Sequence, residues 1–130
     1  MNERDKVNLV QKMQNYIKEQ SDGCTLEGLY SYVGYSKRHA DRMFREVLGQ
    51  TPLEYLKKIR LTDSVTKLRE QEASILEVAL ESGFDSHEGY TRAFARSFDI
   101  TPSDYRKKPV AIPLFIQYPV THYYNHLHPE

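Results

Sequence analysis

Cysteine is almost absent from this chain of 130 residues: Cys24 stands alone. A single thiol excludes an intrachain disulfide and a cysteine-built zinc site, and Cys24 is expected half-buried in a turn. No apolar run approaches the roughly 18 residues a membrane-crossing helix requires. The charged start Glu3-Arg4-Asp5-Lys6 lacks the apolar core of a signal peptide. The expected location is therefore cytoplasmic, with no membrane partner. The signatures of enzyme chemistry are missing as well: there is no phosphate-cradling glycine loop, no His-Glu-x-x-His, no nucleophile elbow and no carboxylate pair in an apolar setting. The chain is read as a non-enzyme, and no cofactor is implied.

Net charge is the last absence, with 18 Lys and Arg balancing 18 Asp and Glu. The balance is uneven along the chain. Residues 36–70 carry nine basic side chains against five acidic ones, and residues 71–108 carry five against seven. The expectation is a basic middle followed by a slightly acidic second part.

What the chain does have is an internal repeat. Gly34-Tyr35-Ser36 opens a segment that closes on Thr51-Pro52, and Gly83-Phe84-Asp85-Ser86 opens another that closes on Thr101-Pro102. The serine stands fifteen residues before the Thr-Pro pair in both. Phe44 answers Phe94, Arg42 answers Arg92, and upstream Leu26 and Leu29 answer Ile75 and Val78, whereas Arg45 is matched only by Ala95. Units of about 50 residues bury only about 60% of their unfolded surface and are marginal alone, so the copies are expected to share a connecting element.

Periodicity and punctuation predict helices throughout residues 5–108. Val7, Val10, Met13 and Ile17 mark an amphipathic first helix. Thr25 caps a short second helix that buries Leu26, Leu29 and Val33 and stops at Gly34. Ser36 caps a third, Lys37 to about Leu48, with Ala40, Met43, Phe44, Val47 and Leu48 inward and a basic face opposite. Thr51 and Pro52 start a long helix to about Glu70, its buried side marked by Tyr55, Leu56, Ile59, Val65 and Leu68. At about 1.5 Å per residue it spans roughly 28 Å, close to the roughly 34 Å between successive major grooves on one side of a duplex. Ser74, Ser86 and Thr101 cap three more helices. Tyr30 and Tyr32 are expected in the core or in the packing of one helix on another.

Two short helices joined by a glycine-containing turn, the second with one apolar and one polar face, form a helix-turn-helix, whose second helix enters the DNA major groove. With Ile75-Leu76-Glu77-Val78-Ala79-Leu80-Glu81-Ser82-Gly83-Phe84, then Tyr90-Thr91-Arg92-Ala93-Phe94 and Thr101-Pro102-Ser103-Asp104-Tyr105-Arg106, residues 5–108 resemble the DNA-binding domain of the AraC/XylS family of bacterial transcription regulators. The resemblance implies an all-α protein of about seven helices: a first helix-turn-helix subdomain over 5–50, a linker helix over 51–70 and a second subdomain over 71–108. It implies double-stranded DNA as partner and RNA polymerase as a second one, recruited or excluded, with an activator as the favoured reading.

Carried over by position, the base-reading candidates are Arg38, Asp41 and Arg42, with Lys37 and Arg45 nearby, and in the second copy His87, Glu88, Thr91 and Arg92. Arginine suits bidentate bonds to guanine O6 and N7, so Arg38 and Arg42 come first. Glu88 adds negative charge, and Gly89 lowers helix propensity by about 1 kcal/mol relative to Ala. The first copy is accordingly expected to supply most of the affinity, and the second either to accept from a cytosine through Glu88 or to grip phosphate only. A helical protein-interaction module is the alternative reading.

Residues 109–130 are expected to be an irregular tail, broken by Pro109, Pro113 and Pro119. Pro113-Leu114-Phe115-Ile116-Gln117-Tyr118-Pro119-Val120 resembles the segment that in some family members leads into a gyrase-inhibitor-like ligand-binding domain. A small-molecule ligand is expected only if such a domain follows; the chain reads either as a naturally short protein or, the favoured reading, as the DNA-binding part of a longer, ligand-regulated one. His122, His126 and His128 match no metal-binding spacing, so no metal site is expected.

Overall fold

Hydroxyl side chains set most of the helix starts. In the computed structural model, which describes residues 1–127, Thr25, Ser36, Ser74, Ser86 and Thr101 each accept a hydrogen bond from a backbone N–H three residues on, satisfying one of the donors a helix start leaves open. The helices so bounded are α1 (Glu3–Gln20), α2 (Leu26–Val33), α3 (Lys37–Leu48), α4 (Pro52–Glu70), α5 (Ile75–Glu81), α6 (His87–Phe98), α7 (Pro102–Lys107) and α8 (Val120–Leu127), with a short 3-10 turn at Ser21–Gly23. The fold is all-α among the described residues.

The helices divide into two units: residues 1–56 together with the tail from Gln117, and residues 57–116. The division falls inside α4, whose first five residues belong to the first unit. In that unit α1 packs against α2, α3 and α8, burying Val7, Val10, Met13 and Ile17 from α1, Leu29 from α2, and Ala40, Met43 and Phe44 from α3. Phe44 meets Tyr55 edge-on, ring centroids 5.2 Å apart. The second unit closes around Leu61, Val65, Leu68, Val78, Tyr90, Phe94, Phe98 and Tyr105. Buried Tyr90 donates to Ser64 Oγ at 2.8 Å, and burial pushes its hydroxyl up to about 12. Arg106 ties α7 to the end of α4, donating to the carbonyls of Leu68, Gln71 and Ala73.

Several expectations are corrected. The tail expected to be irregular carries an eighth helix immediately after Pro119. Proline has no N–H to lose at a helix start, and two glutamines of α1 cap that start from outside. Gln14 Oε1 accepts from Val120 N at 3.0 Å, Gln14 Nε2 donates to Tyr118 O at 3.0 Å, and Gln11 Oε1 accepts from Thr121 N at 3.0 Å. Gln14 is buried while doing so.

Of the two roles expected for Tyr32, the structure shows helix packing rather than core, with the side chain 52% exposed. It lies off the Leu29–Val33 face and stacks on Tyr16 at 4.8 Å beneath Lys12. Tyr30, Val47 and Leu48 are half-buried, and Cys24 is fully buried rather than half. His122 and His126 are exposed on α8, and His128 lies outside the described residues. No helix among the described residues is long and apolar enough to cross a membrane.

Candidate nucleic-acid interface

In the first unit, α2 ends on Gly34 in the left-handed region, φ 75°, and Ser36 starts α3 two residues later. That tight turn leaves one side of α3 to the core and the other to solvent. Lys37, Arg38, Arg42 and Arg45 are exposed on the open side. None of the four is held in an ion pair among the described residues. Asp41 differs: it is half-buried and accepts from the Tyr30 hydroxyl at 2.6 Å. Burial and that bond push the Tyr30 hydroxyl well above its ordinary range, and the pair fixes α2 against α3. Glu46, next along the helix, is paired with Lys6 at 2.9 Å, which holds its carboxyl below the usual carboxylate range.

In the second unit the turn is made at Gly83, φ 86°. The left-handed backbone favours glycine there, and a Cβ would stand 2.8 Å from Arg60 Nε, so the arginine side chain would have to shift. His87, Glu88 and Arg92 are exposed on α6. Thr91 is half-buried, and its Oγ1 has no hydrogen-bond partner among the described residues. Gly89 sits in the first turn, where its N–H donates to Ser86 Oγ at 3.0 Å and a Cβ would press on that same oxygen.

Beside the start of α6 lies an open groove of about 520 Å³, lined by Lys57, Arg60, Arg92 and Arg96 with Asp85 as its only carboxylate. Lys57, Arg60 and Arg96 were not singled out from the sequence. Arg96 lies one turn after Arg92, a spacing that could have revealed it. Lys57 and Arg60 sit in the linker helix and could be placed only by the fold.

The groove changes the charge assignment. Of the nine basic side chains in residues 36–70, Lys57, Lys58, Arg60, Lys67 and Arg69 belong to the second unit. Residues 57–116 then carry ten basic against nine acidic side chains, and the second unit is not acidic. The second copy counted as acidic because its cations lie upstream of its own repeat.

Comparison with known proteins agrees with this architecture. A family model described as a helix-turn-helix domain matches residues 29–108. The regulatory protein SoxS of Salmonella typhimurium is 37% identical over 101 residues, 77% of this chain and 94% of SoxS. The probable transcription factor PqrA of Proteus vulgaris is 36% identical over 89 residues, 68% of this chain and 73% of PqrA. The DNA-binding domain of AdpA, a global transcriptional factor solved in complex with a target DNA, superposes with a TM-score of 0.67 at 26% identity, covering 78% of this chain and 97% of that one. The C-terminal domain of AraT, a response regulator from Geobacillus stearothermophilus, shares the fold at a TM-score of 0.68 and 24% identity, over 85% and 93% of the two chains. With two helix-turn-helix units in place and the family model spanning more than half its length, the chain belongs to the AraC/XylS family of helix-turn-helix DNA-binding transcription regulators.

Proposed function

We propose that the two units divide the work of reading one asymmetric duplex site, α3 supplying most of the base discrimination and α6 most of the backbone grip. The observation that carries this is the difference between the two open faces. On α3, Arg38 and Arg42 are exposed and, among the described residues, held in no ion pair, and each suits the acceptor pair of a guanine edge, worth about 1–3 kcal/mol of discrimination. Lys37 and Arg45 flank them as phosphate contacts. Asp41, engaged by Tyr30, acts by orienting the helix.

On α6, Glu88 is exposed toward the same kind of surface, where it suits only a cytosine amino group. The groove cations Lys57, Arg60, Arg92 and Arg96 suit phosphates. His87 and Thr91 are secondary contacts. Bound in this way in the cytoplasm, the protein activates transcription by recruiting RNA polymerase.

The test is in-vitro selection of the purified chain against a random duplex library at near-physiological salt. One strongly constrained box, with a weaker one about a turn of duplex (roughly 10.5 bp) away, is the expected result. Two equally constrained boxes would overturn the division of labour, and no enrichment would overturn sequence-specific reading. Run-off transcription from a promoter carrying the selected site tests activation separately.

A further inference from the structure

The first unit contains a cleft that DNA reading does not use. It has a volume of about 680 Å³ and lies between α1, the last turn of α3 and the tail, within the range of small-molecule pockets. Val7, Val47 and Leu48 form its floor, and Tyr118, Tyr123 and Leu127 its tail side. Those three tail side chains are 58–69% exposed, an unusual amount of apolar and aromatic surface to leave open on a stretch that otherwise packs back on α1. The charged groups at the cleft are Glu3, Lys6 and Glu46. Lys6 and Glu46 neutralise each other at 2.9 Å, which leaves the Glu3 carboxylate as the uncompensated charge.

We infer that this cleft is a binding site for a small aromatic cation. Three features select that class. The volume admits a molecule of a few rings. The exposed tyrosine rings in the lining offer a ring quadrupole to a cation, while the aliphatic lining takes apolar surface. The net charge of the lining is −1, so an anion of the same shape is repelled and a neutral molecule loses the electrostatic contribution. The ligand would touch the final turn of α3 and the docked tail together, so binding is registered within the first unit itself and needs no additional domain.

The test uses the full chain without DNA, so its outcome is independent of how the duplex is read. Tetraphenylphosphonium and tetraphenylborate match in shape and differ in sign, and each is titrated calorimetrically. Saturable binding of the cation at one site, at least tenfold tighter than the borate, is expected. Glu3→Gln, at an exposed position in the first turn of α1, should weaken the cation about three- to tenfold and narrow the gap between the two ions. Tyr123→Ala, also exposed, should weaken the cation by a similar factor without shifting the melting temperature. Equal affinity for both ions, or cation binding unchanged in both variants, would overturn the inference. So would sedimentation showing that a second copy of the chain occupies this face.

Discussion

The two copies solve the same junction in different ways. In the first unit the short and recognition helices are fixed by Tyr30 donating to Asp41. In the second unit the corresponding positions are Ala79 and Thr91, and the threonine hydroxyl has no partner among the described residues. The second unit places its tyrosine elsewhere: Tyr90, where the first copy has Ala40, donates to Ser64 inside the core. The recognition helices also end alike with different residues, Gly49 at φ 74° and Asp99 at φ 58°, the latter a left-handed conformation in which aspartate is among the few side chains tolerated. A repeated sequence thus preserves apolar positions and helix ends, and leaves each copy to find its own polar partners.

The largest effect that could break the comparison is loss of a central ring. Phe44→Ala and Phe94→Ala, both fully buried, should each cost about 3–5 kcal/mol. In urea titrations followed by hydrogen exchange, each should expose mainly its own unit, and simultaneous loss of both units would show that they do not fold separately.

Next in size is the division between reading and gripping. Arg42→Ala should cost about 1–3 kcal/mol on the selected site and flatten base preference at one position. Arg96→Ala should weaken binding about equally on all sequences and reduce the slope of log affinity against log salt by about 1. Competition binding at several salt concentrations distinguishes the two, and equal behaviour of both variants would erase the distinction.

Gln14→Leu should cost about 1–3 kcal/mol, because it strands the buried N–H of Val120 and the part-buried carbonyl of Tyr118. Faster amide exchange confined to residues 118–127, with residues 57–116 unchanged, is the expected signature. The smallest effects lie at the junctions. Tyr30→Phe should lower stability by about 1–2 kcal/mol by leaving Asp41 half-buried and unpaired. Thr91→Val should be neutral or gain about 0.5 kcal/mol by removing a hydroxyl with nothing to bond. Thermal melts of the two variants, side by side, measure the asymmetry directly.

Much of the fold was legible because the sequence marks helix ends with residues whose chemistry is local. Ser36, Ser74, Ser86, Gly34 and Gly49 act on the backbone within four residues, and α3, α4 and α6 have the bounds their punctuation implies. The open faces of α3 and α6 were legible for the same reason, since two residues along a helix turn it by about 200° and set Arg42 opposite Phe44. What could not be read was any partnership across the chain. Pro119 reads as a breaker unless the glutamines that cap the following helix, more than a hundred residues away, are known. Gln14 does carry a sign of its role, because it falls on the same stripe as Val7, Val10 and Ile17, where a polar side chain needs a buried partner. Lys57 and Arg60 were misassigned for a related reason: their position along the chain places them with the first copy, and only tertiary structure brings Arg60 against Gly83.

The return of α8 to α1 has a consequence for the order in which the protein comes into being. During synthesis the chain emerges N-terminus first, and residues 57–116 contain everything the second unit uses. The first unit draws on Gln117–Leu127 as well, so the half whose residues are made earliest is the half completed last. Until those last residues arrive, the α1 surface that receives Val120 and the side chain of Gln14 stands open to water or to whatever else can bond to it.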